Sequence, residues 1–315
     1  MNGSIGRIIK NAALDLLIAA VILLAFAYFQ HGRAFLKGEL AVDLSDAVPV
    51  SDVAQSTPPE EVELRSNLYD SKFAVGDPVQ TENSYKSENV SVTWERYEKT
   101  IDDKTVVYYV ADIYTRSADY ICTAMSEDGY ETVQKLAKEN NAILAINGDY
   151  APARERGVIV RDGMLIRDSS FGDVLAFYTN GEMKTFSADE FDLESEADAG
   201  LRDAWSFGPA LLDEDGCAKT EFDTTVAEAH PRTAIGYYAP GHYCFVAVNG
   251  RGEENSAGMT MIQLSALFES LGCTAAYNLD GGQSSVMAWD CGNVTVNTPA
   301  NGGRPVSDII YIPKD

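Results

Sequence analysis

Four polar clusters border apolar runs in this chain. "INGDY" (146–150), "HPRTAIG" (230–236) and "YNLDGGQSS" (277–285) each follow one, and "NGGRPVSD" (301–308) precedes the last. Together they supply two carboxylates (Asp149, Asp280), two amides (Asn147, Asn278), two arginines (Arg232, Arg304) and the hydroxyls of Thr233, Ser284, Ser285 and Ser307. Brought to one sheet edge, such groups suit an anionic sugar. Arginine grips phosphate bidentately and stays charged. Asn and Ser satisfy sugar hydroxyls, and paired carboxylates do acid–base or nucleophilic work at an anomeric carbon. Gly281 and Gly282 let the backbone turn sharply, so that Asp280 and two serines can face a pocket, with N–H groups free to meet phosphate. Taken singly each signal is bland: Asp-Gly marks a hairpin turn, and an Arg beside a Pro is an ordinary surface residue. Four clusters of one kind outweigh that reading.

Other chemistries fit less well. A serine hydrolase needs a base beside its nucleophile. The chain holds only His31, His230 and His242, and "GGQSSV" lacks the last glycine of a G-x-S-x-G elbow. No HExxH or paired Cys/His spacing marks a zinc site. Asp149, Asp280 and the two Asn form an all-oxygen set that a hard cation such as Ca²⁺ accepts, without EF-hand-like spacing; no metal or other cofactor is expected.

The elements that must position these groups read as strands. "ENVSVTWERYEKT" and "TVVYYVADIYTRS" pair through "IDDK" (101–104). Hairpins are expected at Asp162-Gly163, Asn180-Gly181 and Pro240-Gly241, with a further turn at Asp215-Gly216. Helices are expected over 128–141 and 260–272; the second has a Thr260/Gln263 capping box and Gly272 as its stop. "AILAINGDY" and "RPVSDIIYIP" read as core strands. The fold class is α+β, with mixed and antiparallel β-sheets and a few helices. It is preceded by one N-terminal transmembrane helix.

That helix rests on the uncharged run Leu16–Phe29, after Arg7 and Lys10. The expected organisation is a cytoplasmic tail (1–11), an anchor (12–30), a Ser/Pro/acidic stalk (31–85) and one catalytic domain (86–315). A cleaved signal peptide is the rival for the anchor. Either way the bulk of the chain is expected outside the cell, held as a single-pass protein of the cell membrane. The net charge is −24, and residues 1–40 hold +2 of it, leaving −26 on the rest. So acidic a chain argues against nucleic acid as partner, which needs a basic face to displace counterions. Five cysteines without CxxC spacing leave at least one unpaired; an exported domain allows one disulfide, and Cys244 and Cys273 read as buried small hydrophobes.

With these residues laid out, residues 88–315 resemble the phosphodiester glycosidase family, many of whose members are bacterial exported proteins. The resemblance rests on "AINGDY", "GVIVRDGMLI", "FGPALL", "PRTAIGY", "SAGMTMIQLSALFESLGCTAAYNLDGGQSS" and "RPVSDIIYI", in the family's order. Two departures stand out. Gln283 replaces the third glycine of the usual "NLDGGGSS", and Asp149 stands where many members have Gly. The resemblance implies hydrolysis of a sugar-1-phosphodiester, with Asp280 acting at the anomeric carbon and Asp149 as a less secure second carboxylate. It implies that Arg232 and Arg304 hold the phosphate with help from Ser284 and Ser285, and that Asn147 and Asn278 meet the sugar or organise the turn. The expected substrate is a sugar-phosphate glycan or glycopolymer on the cell surface or on a host. The alternatives are a non-catalytic glycan- or wall-binding module, and a structural envelope protein.

Overall fold

The computed structural model describes residues 44, 46–54, 68–126, 129–151, 154–169, 171–292 and 303–315, and the backbone alone at 294–297. The expected anchor lies outside them. Among the described residues no helix is long and apolar enough to cross a membrane.

The strands are β1 (Val48–Pro49), β2 (Val79–Gln80), β3 (Ser84–Lys86), β4 (Val90–Ile101), β5 (Lys104–Thr115), β6 (Cys122–Met125), β7 (Ala142–Asn147), β8 (Ile159–Arg161) and β9 (Met164–Arg167). They continue as β10 (Val174–Tyr178), β11 (Met183–Phe186), β12 (Leu201–Trp205), β13 (Arg232–Ala239), β14 (His242–Val248), β15 (Ala275–Asn278), β16 (Met287–Trp289), β17 (Val294–Asn297) and β18 (Asp308–Pro313). Among the described residues, three α-helices join them: α1 (Val133–Glu139), α2 (Leu193–Asp198) and α3 (Met261–Leu271).

Three sheets form, ordered β1-β9-β8-β12-β10-β11, β15-β13-β14-β5-β4-β3-β2 and β17-β16-β7-β18-β6. The strand pairs described are antiparallel, so antiparallel rather than mixed pairing dominates. The turns expected at 101–104, Asp162-Gly163, Asn180-Gly181 and Pro240-Gly241 each close a hairpin. Parts of the expected stalk belong to the sheets: β1 pairs with β9, and β2 and β3 extend the seven-stranded sheet beyond β4. These residues pack with the domain rather than standing apart from it.

Strand β5 shows why the core holds. Successive side chains point to opposite faces of a strand. Val107, Tyr109, Ala111 and Ile113 therefore face the central core, with Phe177, Trp205, Leu144, Trp289 and Ile310 from the other two sheets. Val106, Tyr108 and Val110 face the opposite way, onto Met261, Leu264 and Phe268 of α3. Fully burying a Val, Leu, Ile, Phe or Met side chain among them contributes about 1.5–3 kcal/mol. Helix α3 forms where its apolar residues recur at helical spacing. The Thr260 hydroxyl accepts from the Gln263 N–H (3.2 Å) and the Gln263 side chain accepts from the Thr260 N–H (3.0 Å). Gly272, in the left-handed region, ends it.

Candidate functional site

The "DGG" step is not a hairpin. β15 pairs with β13, whereas β16 pairs with β7 in another sheet. Asp280-Gly281-Gly282 is thus a crossing between two sheets, ending in a single short turn over Gly282–Ser284. Both glycines are required by what surrounds them. A Cβ on Gly281 would lie 2.8 Å from the Pro231 carbonyl oxygen. Gly282 has φ +65°, and its N–H donates to that same carbonyl at 3.0 Å.

This crossing meets the end of β7 and the starts of β13 and β18. The Asp280 N–H donates to the Gly148 carbonyl (3.1 Å). Asn147 bridges the elements: its Nδ2 donates to the Asp280 carbonyl (2.7 Å), and its Oδ1 accepts from Thr233 Oγ1 (2.7 Å) and the Val286 N–H (3.2 Å). Asn147 and Thr233 are fully buried; they tie the sheets together rather than face a ligand. Asn278 donates to the Gly208 carbonyl at 2.8 Å, while its buried Oδ1 has no hydrogen-bond partner.

Asp280 and Arg304 form the centre. Arg304 Nη2 donates to Asp280 Oδ2 at 2.7 Å, its Nε donates to Ser284 Oγ at 2.6 Å, and its guanidinium lies 4.3 Å from the Tyr150 ring centre. Its own N–H donates to the Gln283 carbonyl (2.9 Å). The second oxygen of Asp280 accepts from the Gly281 N–H at 2.9 Å. The carboxylate side chain is 8% exposed and that of Arg304 28%. Burial works against the Arg304 charge, but Asp280 outweighs it and holds the guanidinium above its ordinary value.

Asp149 sits in a different setting. It is buried in a network with Asp308, Arg161 and Trp205. Arg161 donates twice to Asp308 Oδ2, at 3.1 and 2.8 Å, and Trp205 Nε1 donates to the same oxygen at 3.2 Å. Asp308 Oδ1 accepts from the Asp149 N–H (2.8 Å) and from Ser307 Oγ (3.0 Å). The Asp149 carboxylate accepts from the N–H groups of Tyr150 and Ser206. Burial first, then the neighbouring Asp308 charge, push its carboxyl above the usual range. Ser307 also donates to the Asp149 carbonyl, so it belongs to this network.

Arg232 departs from the expectation of a phosphate clamp. It is 2% exposed and donates to the carbonyls of Met259 (2.9 Å), Val226 (2.7 Å) and Glu228. Burial lowers it to about 10. Those donors are spent on the backbone, because Arg232 opens β13, where the bend of residues 226–228 presents its carbonyls. Ser285 is fully buried beside the crossing. Of the oxygens considered for a hard cation, Asp280 is engaged with Arg304, Asp149 with N–H donors and Asn147 with Thr233 and Val286, while Asn278 Oδ1 has no hydrogen-bond partner.

Four residues join the site beyond those singled out by sequence. Tyr150 carries Arg304 on its ring. Arg251, exposed just after β14, brings its guanidinium to 3.1 Å from where a Gly282 Cβ would lie. His230 is held below its ordinary value by burial and by the Arg232 and Arg251 charges. Tyr130 is raised to about 12 by burial, then by Tyr150; its hydroxyl is shielded from solvent without a hydrogen-bond partner. Arg251 and Tyr150 were legible by the same signal as the rest, a polar residue after an apolar strand. Tyr130 had no such signal, since the Glu131–Val306 bridge brings it in.

An antiparallel three-sheet fold whose strand ends converge on an Asp–Arg pair defines a class. A model of the phosphodiester glycosidase family matches residues 140–313, and the chain belongs to that family. A curated relative, the SPbeta prophage-derived uncharacterized protein YomE of Bacillus subtilis (strain 168), is 29% identical over 245 residues. That alignment covers 72% of this chain and 38% of YomE, so the chain spans well under half of the relative's length. The zebrafish N-acetylglucosamine-1-phosphodiester alpha-N-acetylglucosaminidase catalytic domain, auto-inhibited by its pro-peptide, has a similar fold. Its TM-score is 0.60 at 19% identity, over 73% of this chain and 85% of that one. A hypothetical protein from Synechocystis aligns with a TM-score of 0.57 at 14% identity, over 72% of this chain and 62% of that one.

Proposed function

We propose that this protein is a hydrolase that cleaves a sugar-1-phosphodiester between the anomeric carbon and the phosphate oxygen. The observation that carries the reading is the Asp280–Arg304 pair, seated at the meeting point of strand ends within the family segment. Water adds a hydroxyl to the anomeric carbon, and a phosphate monoester departs with the bridging oxygen. Such a leaving group needs little acid help, so stabilising the cationic sugar matters more. Asp280 acts as nucleophile or base there. Arg304 and the exposed Arg251 receive the phosphoryl oxygens, with Ser284 beside Arg304; the N–H groups of Gly281 and Gly282, expected to meet phosphate, are instead spent on Asp280 and on the Pro231 carbonyl. Asn147, Asn278, Thr233, Asp149 and Ser307 hold the crossing in place. The substrate is a sugar-phosphate glycan outside the cell, reached by a domain tethered through the apolar N-terminal segment.

A second reading has its own observation. Arg304 already neutralises Asp280, whose carboxylate is largely covered, and a carboxylate so engaged suits a glycan-binding module that does no chemistry. One experiment separates the two. The full chain and its Asp280→Asn variant are incubated with UDP-N-acetylglucosamine and related sugar phosphodiesters, and free sugar is assayed. Release by wild type and not by the variant supports the hydrolase. A folded wild type that releases no sugar across the panel, yet binds these ligands, sinks the enzyme reading in favour of the module.

A further inference from the structure

Two thiols meet inside the domain, away from the Asp–Arg pair. Cys244 lies on β14 and Cys273 just after α3; they are 0% and 4% exposed, and their sulfurs are 3.7 Å apart. The slot they share exists because Gly236 has no side chain. Gly236 pairs laterally with Cys244 on one side and Ala276 on the other. A Cβ there would lie 2.7 Å from both sulfurs and from the Phe268 ring. The Tyr238 hydroxyl closes over both thiols. The other cysteines, Cys122, Cys217 and Cys291, sit on other elements.

We propose that Cys244 and Cys273 are joined as a disulfide when the chain folds in contact with a disulfide oxidant. One cysteine thiolate attacks the oxidant's S–S bond, forming a mixed disulfide and releasing one thiol. The second thiolate displaces the other half, closing the Cys244–Cys273 bond. The pair gives up two electrons, the oxidant is reduced to two thiols, and the two cysteine protons end on those thiols. Burial, then contact with Cys273, push the Cys244 thiol well up. The thiol of the folded protein is therefore protonated and a poor nucleophile, and the bond forms before α3 covers β14. It closes a loop spanning 29 positions. That loop carries Arg251 and α3 and leads directly into β15, so the bond ties the start of β15, whose end bears Asn278 and runs on into Asp280, to β14 of the same sheet. It stands whether or not the chain is an enzyme.

The test uses the full chain, synthesised in a cell-free system with either oxidised glutathione or a dithiol reductant. Each product is denatured, its free thiols are capped with N-ethylmaleimide, and it is weighed and peptide-mapped. The proposal expects three of the five thiols capped in the oxidised product, with the Cys244 and Cys273 peptides linked, and all five capped in the reduced one. The oxidised form should melt roughly 5–10 °C higher, as closing a loop of this size implies. In Cys244→Ala that difference should vanish along with the linked peptide. Five capped thiols after oxidative synthesis, or a link that leaves Cys244 and Cys273 both capped, would overturn it.

Discussion

Arg232→Met separates a structural arginine from a phosphate clamp. Met keeps much of the side-chain volume and removes the guanidinium. The loss is three charge-assisted hydrogen bonds to the carbonyls of Met259, Val226 and Glu228, at about 1.5 kcal/mol each for bonds of this kind. Part returns, because the variant no longer holds a buried charge that desolvation has lowered from 12.5 to about 10, an effect of roughly 3 kcal/mol. The Met259 carbonyl also keeps the His230 N–H at 3.2 Å. The net cost is about 1 kcal/mol, read from urea unfolding with the slope unchanged. On a sugar phosphodiester that wild type cleaves, kcat/KM per folded molecule should stay within about threefold, whereas Arg304→Met should lose at least about 100-fold. A second readout is His230, whose imidazole value should rise in Arg232→Met, because one of the cations lowering it is gone. An Arg232→Met protein that unfolds with wild type yet loses 100-fold in kcat/KM refutes the reasoning and returns the phosphate to Arg232.

Three further outcomes follow from the same geometry. Gly148→Ala should cost about 3 kcal/mol by urea unfolding, since its Cβ would lie 2.5–2.8 Å from three carboxylate atoms of Asp308 that Arg161 and Trp205 hold fast; a loss below about 1 kcal/mol would show that the network yields. Asp149 binds its proton more tightly folded than unfolded, so wild type loses stability as pH climbs from the ordinary value of 3.8 toward the raised folded one. Asp149→Asn removes that loss, and its stability relative to wild type should rise as pH climbs above the ordinary value of 3.8; a pH-independent difference speaks against a raised Asp149. Tyr130→Phe deletes a shielded hydroxyl that has no hydrogen-bond partner, so its melting temperature should equal or exceed that of wild type, and a drop worth more than about 1 kcal/mol would reveal a hidden partner.

The local elements were largely legible. Hairpins at Asp162-Gly163, Asn180-Gly181 and Pro240-Gly241 follow from turn chemistry that acts over two residues, and α3 announces itself by its stripe and both halves of its capping box. The helix expected over 128–141 is shorter, Val133–Glu139, because the Thr132 hydroxyl caps it. Strand β12 and helix α2 were not read. "LRDAW" has no clean alternation, and α2 is only six residues long, capped by Asp192. β2 and β3 look like polar linker because they lie toward the edge of their sheet, with most side chains facing water.

The sequence by itself determined which groups are present, that they stand at strand ends, and that the double glycine needs a special backbone. Residue type and spacing suffice for that, since they act within a few positions. Only the tertiary structure decided what each group touches. The "DGG" turn became a crossing because β15 and β16 found partners in different sheets. Two arginines that look alike in sequence parted company for the same kind of reason: Arg304 reaches the Asp280 carboxylate, while Arg232 faces three carbonyls. The strength and role of a charge depend on distance, burial and competing partners; Arg304 meets Asp280 across 24 positions and Asp149 meets Asp308 across 159, while Arg232 draws two of its three partners from only 4 and 6 positions away.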